Sequence, residues 1–175
     1  YPQPTQLELP LSLSGPSAPG VELRLAHALV SLDSGRPVHP VEARNVADAL
    51  LAFEAAYVGD RGKIGGAAWN EAVARYGGWL DYYSKEYGYY DFFLITGNGD
   101  VVYSAARESD LGQNVVTGPL QTSGLGKLFQ KAKGGAALQD FEPYAPSKNE
   151  PASFIGAPVK KGDHVIGFVV LQIPL

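Results

Sequence analysis

The chain has 175 residues and a mass of 18.6 kDa, enough for one well-buried core. Hydrophobic residues make up 45% and charged residues 18%, a balance that excludes a disordered chain. A net charge of -4, with Lys and Arg scattered apart from the pair Lys160-Lys161, argues against nucleic acid as a partner, and the absence of cysteine excludes disulfides, thiolate chemistry and Cys-bound zinc.

Tyr1 to Gly20, YPQPTQLELPLSLSGPSAPG, is rich in Pro, Ser and Gly and reads as a linker-like arm, with Leu7 to Leu13 laid against the body. Val21, Leu23, Leu25, Leu29 and Leu32 predict a first helix that stops before the SGRP turn at Ser34 to Pro37. Pro40 suits a first helical turn. From it Val46, Ala49, Leu50, Phe53, Ala56 and Tyr57 recur at three- and four-residue spacings up to the GDRGKIGG loop, predicting a second helix. A third begins near Ala67 and carries Trp69, Val73, Tyr76, Leu80, Tyr83 and Tyr87 as one continuous stripe, with Gly88 as its C-terminal cap. Trp79 and Tyr82 lie off that stripe and are candidates for contact with a second copy of the helix, which predicts a homodimer through the N-terminal helices.

After Gly88 the apolar period falls to two. Strands are predicted at Tyr90 to Thr96, Val101 to Ala105, Ala137 to Phe141, Ser153 to Val159 and His164 to Ile173, with a short helix over Ser123 to Ala132. Hairpin connections make these one five-stranded antiparallel sheet in an α+β fold. In the first strand Phe92 and Leu94 point one way and Asp91, Phe93 and Ile95 the other, so both faces are apolar and both need covering. The aromatic stripe of the third helix is expected on one face. The connection from Arg107 to Gly135 is expected to cap the other, with room for a small-molecule pocket beneath it.

The ordered run YYDFFLITGNGDVVYS, ARESDLGQNV, the Ser-Gly-Leu helix start at Ser123 to Leu125, DFEPYAPSKNEPASFIGAPV and HVIGFVVLQIPL resembles the extracytoplasmic Cache sensor modules of methyl-accepting chemotaxis receptors and related sensor kinases. The resemblance covers roughly Tyr76 to Leu175. It implies a PAS-like fold, a long N-terminal helix flanking the sheet, a pocket beneath the loop and short helix, and an extracytoplasmic location. Residues 67–175 are then the sensor core and residues 1–66 an arm and helices packed on it. Tyr1 to Gly66 looks unlike the usual entry segments of such receptors, which would also continue past Leu175. Lacking methionine, the chain is expected to be a processed product or a fragment. Its longest apolar run, His164 to Leu175, is too short for a membrane span, so any membrane attachment belongs to other segments.

Arg107 follows the second strand with Glu108 and Asp110, and its guanidinium suits a carboxylate, whereas the bland reading is a solvated loop whose charges pair with one another. Tyr103 and Ser123 are placed at the two ends of the cap, and Asp140, Tyr144 and Phe154 on its floor. Tyr and Phe supply walls with polar tips, and Asp holds an ammonium group. An acid and an arginine across one cavity would suit an amino acid, and arginine alone a short carboxylate. The competing readings make Tyr103 and Phe154 core residues and Asp140 a turn cap. Trp69, Trp79, Tyr82 and Tyr83 read as helix packing before they read as an aromatic cage.

His27, His39 and His164 stand apart, there is no GxSxG or HExxH, and Asn98-Gly99-Asp100 lacks the spacing of a calcium loop. No metal, cofactor or catalysis is expected. The leading reading is a sensory domain for a small metabolite, an amino acid or short carboxylate. The alternatives are a free-standing solute-binding protein, a structural PAS-like module with a filled core, and a hydrolase using His39 or His164.

Overall fold

The structure, a computed structural model, describes residues 40–86 and 88–175. The arm at Tyr1 to Gly20 and the helix expected over Val21 to Leu32 lie outside the described residues.

Helix α1, Pro40–Gly59, has the predicted start and stop. It leaves through a turn in which the Gly62 N–H donates to the Tyr57 carbonyl at 2.7 Å, Gly62 being left-handed at φ +79°. Asp60 in that turn accepts the Trp69 N–H at 3.1 Å and thereby caps α2, Ala67–Ala72, whose N-cap Gly66 has no side chain of its own to do so. A side chain at position 66 would strike that carboxylate. A wide π turn at Val73–Gly77 then leads into α3, Gly78–Glu86, so the predicted third helix exists with a bulge in its middle. Beyond it Gly88 takes φ +73° and the Tyr89 N–H returns to the Ser84 carbonyl.

The five strands are β1 (Asp91–Thr96), β2 (Val101–Ser104), β3 (Ala137–Pro143), β4 (Pro151–Lys161) and β5 (His164–Pro174). They form one antiparallel sheet in the order β2-β1-β5-β4-β3. Every residue of β1 is buried, as two covered faces require.

Two cores lie on the two faces. On the helix face Val46, Leu50 and Phe53 of α1 and Trp69, Leu80 and Tyr83 of the bulged helix pack with Phe92, Leu94, Tyr103, Ile155 and Leu171. It is α1 that crosses β1, β2, β4 and β5, while α3 reaches β1, so the third helix shares this face and does not cover it alone. Off the stripe, Tyr82 is 59% exposed. The cap face carries α4, Gly124–Ala132, whose Leu125, Leu128 and Phe129 join Phe93, Ile95, Val115, Leu120, Phe154, Phe168 and Val170. The space expected to hold a pocket is occupied at these positions by fully or nearly fully buried side chains.

The fit under α4 is tight. A methyl group on Gly126 would collide with the Leu120 carbonyl, and one on Gly156 would lie 2.9 Å from Leu128 Cδ1. In an open helix, glycine to alanine gains up to about 1 kcal/mol. Here Gly126→Ala is expected to reverse that sign and cost about 1–3 kcal/mol in denaturant unfolding, as overpacking does. A stabilised variant would contradict this packing.

Candidate functional site

Alternation along β1 puts Asp91 in the same row as Phe93 and Ile95, so an acid sits on the apolar cap face. It is wholly buried. Its Oδ1 accepts the Phe92 N–H at 2.7 Å and the Ala106 N–H at 2.9 Å, and the Ser104 hydroxyl lies 2.8 Å from Oδ2. Ser104 Oγ in turn accepts the Arg107 N–H at 3.0 Å. These bonds fold the chain leaving β2 into a turn that holds Arg107 at φ +54°, a conformation costly for a residue with a Cβ.

The turn brings two further acids back to the first. Carboxylate oxygens of Asp91, Glu108 and Asp110 lie within 4.8 Å of one another. Around them the Tyr144 hydroxyl donates to Asp110 Oδ2 at 2.8 Å, the Tyr90 hydroxyl to Glu108 Oε2 at 2.7 Å and the Ser147 hydroxyl to Glu108 Oε1 at 2.8 Å. Gln172, the register partner of Asp91 on β5, donates its amide to Ser147 Oγ at 3.0 Å. Two oxygens in this fully or nearly fully buried setting have no donor: Asp110 Oδ1 and Gln172 Oε1.

So many acceptors in so little solvent disfavour negative charge. Burial first, then the neighbouring Asp110 charge, raises Asp91 to about 7. Burial, with Glu108 adding to it, raises Asp110 to about 6. The Tyr144 hydroxyl is driven up by burial and by its acidic neighbours, so it stays a donor. Among the described residues no Lys or Arg forms an ion pair with these three acids.

Of the residues singled out from sequence, Tyr144 and Phe154 do meet, edge to face at 4.9 Å, with Tyr144 in the acidic cluster and Phe154 forming its wall. The other four are elsewhere. Tyr103 points to the helix face, where its hydroxyl contacts Asp81 and the Gly77 carbonyl of the π turn and its ring packs tilted against Phe53 at 4.8 Å. Its place opposite Leu94, across the register shift in the β1–β2 pairing, sets that side.

Arg107 follows it there. Its guanidinium lies over the rings of Tyr103 and Trp69 at 5.3 and 6.0 Å and reaches Asp81 at 3.4 Å, because the left-handed turn throws the side chain across the sheet edge. Ser123 is the N-cap of α4, accepting the Gly126 N–H at 3.2 Å. Asp140 is exposed on the edge strand β3, bonded to the Phe141 N–H. Asp91, Ser104, Ser147 and Gln172 were missed. The signal available for Asp91 was an acid in an otherwise apolar row, whereas Gln172 required the pairing of β5 with β1.

No protein-family model matches the sequence, and no curated protein does. Solved structures do match. The sensor domain of the V. cholerae histidine kinase DctB has a TM-score of 0.52 at 18% identity, over 75% of this chain and 43% of that one. The fold is the PAS-like fold of Cache sensor domains. The ligand-binding domain of the Campylobacter jejuni chemoreceptor Tlp3, solved with 4-methylisoleucine, has a TM-score of 0.46 at 15% identity, over 98% of this chain and 61% of that one. The chain thus spans less than two thirds of either domain, and at these identities the likeness is one of fold. Within the Cache fold the acidic cluster sits at one end of the cap face, where three segments converge: the turn after β2, the connection from β3 to β4, and the ends of β1 and β5.

The raised carboxyls fix a pH dependence. The unfolded chain loses its Asp protons near 3.9, whereas folded Asp91 and Asp110 keep theirs to about 7 and 6. Between those limits the folded state binds more protons, so its stability falls as pH rises, by up to about 1.4 kcal/mol per pH unit for each group. With a chelator present, the melting temperature is expected to drop between about pH 5 and about pH 7.5, and Asp91→Asn is expected to flatten that slope. A slope unchanged in the variant would contradict the assignment.

Proposed function

We propose that the chain is an extracytoplasmic sensory domain without catalytic activity, which takes a small solute through a positively charged group at Asp91, Glu108 and Asp110 and passes occupancy to its helix layer. The observation that carries this reading is the pair of donorless buried oxygens inside a cluster joining the sheet to both cap loops. A ligand supplying charge and donors there ties together three segments that otherwise meet through mutually repelling carboxylates. The ammonium group of an amino acid or amine supplies that charge, and so does a metal ion. A short carboxylate without an amine does not, because the only singled-out cation, Arg107, faces the helices. No described helix is long and apolar enough to cross a membrane.

The route outward runs through one turn. Glu108 belongs to the cluster and Arg107 beside it to the helix face, where Asp81 and the π turn at Gly77 surround Tyr103. A shift of the turn on binding therefore moves a guanidinium packed on Trp69 and paired with α3.

The test is a screen of amino acids, amines, metal ions and short carboxylates by melting temperature and tryptophan emission. At about 100 times its dissociation constant a ligand stabilises the fold by about 2.7 kcal/mol. Positively charged compounds are expected to raise the melting temperature. Arg107→Ala is expected to retain that rise and lose the emission change. Loss of binding in Arg107→Ala would instead make Arg107 the anchor and overturn the reading. A filled structural module predicts no rise with any compound.

A further inference from the structure

Resting on the reading above, we infer that the positive group held by Asp91, Glu108, Asp110 and Gln172 is a calcium-sized divalent cation, which staples the cap to the sheet. The donor set is oxygen throughout: three carboxylates and one amide carbonyl, with no imidazole or thiolate. That is the set of a hard cation.

One observation independent of the acids, and one on an acid itself, point to a ligand. Gln172 is 2% exposed, lies in register with Asp91, and has its amide nitrogen fixed on Ser147, whose hydroxyl binds Glu108. Its carbonyl oxygen, on the same amide that Ser147 ties to Glu108, has no donor. Asp110 Oδ1 likewise makes no hydrogen bond of normal geometry, with the Asp110 and Leu111 N–H groups near its carboxylate and Tyr144 serving the other oxygen. A side chain positioned by two hydrogen bonds in series, presenting an uncommitted acceptor beside three acids, has the form of a prepared ligand.

Charge, size and room favour the divalent ion over an ammonium group. Once ligation ionises all three acids, two of them buried, one ammonium only partly offsets their charge. Oxygens facing one another across calcium stand up to about 5 Å apart, twice the metal–oxygen distance, whereas magnesium draws them to about 4 Å. The observed limit of 4.8 Å admits the larger ion, and competition with magnesium decides between the two. An ammonium also brings a carbon chain, yet the cap face beyond the cluster is filled by Phe93, Val115, Leu120 and Phe154, all buried. An ion needs only the oxygens.

The test uses the 175-residue chain after dialysis against a chelator. Terbium ion is titrated with excitation through tyrosine, since Tyr144 and Tyr90 donate to Asp110 and Glu108. Calcium chloride, magnesium chloride and ethylammonium chloride are then used as competitors at constant ionic strength. One terbium per chain, displaced by calcium at least tenfold better than by magnesium, is expected. Glu108→Gln and Gln172→Leu, with circular dichroism unchanged, are each expected to weaken calcium binding at least tenfold. Calcium that neither displaces terbium nor raises the melting temperature overturns the inference, as does wild-type affinity in both variants. If ethylammonium or an amino acid stabilises the chain and calcium does not, the calcium assignment falls while the sensory reading stands. If no cation acts, both fall.

Discussion

Everything near the site depends on one buried carboxylate, that of Asp91. An acid in the apolar row of a central strand is expensive to desolvate, and it is tolerated where backbone and side-chain donors converge on it. Phe92, Ser104 and Ala106 are those donors. In satisfying Asp91 they also shape the chain, because the Ala106 and Ser104 contacts force the tight turn after β2. That turn returns Glu108 and Asp110 to the cap face and sends Arg107 to the other. A residue on one strand thus sets the geometry of a loop and, through it, what lies on both sides of the sheet.

The two faces are unequal partners. The helix face is sealed by α1 and the bulged helix, with Trp69 donating its indole N–H to the Val102 carbonyl at 2.8 Å and Tyr103 bridging to the π turn. The cap face is sealed by α4 over most of its extent and turns polar only at the end occupied by Asp91, Gln172 and Tyr144. In the proposed sensor such a division assigns the response to the polar end, since the apolar remainder is close-packed while the acids there raise one another's proton affinity. Arg107 links this end to α3 through backbone continuity and its pairing with Asp81, and in the proposed sensor that turn is the lever between ligand and helices.

Much of this fold was legible in the sequence because periodicity is dictated by which faces are covered. Val46, Leu50 and Phe53 announced α1, and the change of period at Gly88 announced the strands within one or two residues of their ends. The π turn was not legible, since Val73 to Gly77 keeps an ordinary helical stripe and only the carbonyl contact with Tyr103 marks its place. For the site, both residue type and plain alternation misled: counting by twos from Val101 puts Tyr103 on the cap face, but a register shift in the β1–β2 pairing sets it opposite Leu94 and so toward the helices. Arg107 obeyed a left-handed turn that no local pattern specified. Asp140, read as pocket floor, sits on an edge strand, and edge positions follow from sheet order, which sequence does not supply. Asp91 was visible as an acid in the wrong row, and that conflict between a residue and its environment was the more informative signal.

The most direct measurement is a crystal structure at high resolution grown from calcium-containing solution. A single ion bonded to Asp110 Oδ1 and Gln172 Oε1 at about 2.3–2.6 Å, with Asp91 and Glu108 completing its shell, is the expected result. Those two oxygens hydrogen-bonded instead to ordered water or to a protonated carboxyl, with no ion in the cluster, would contradict it.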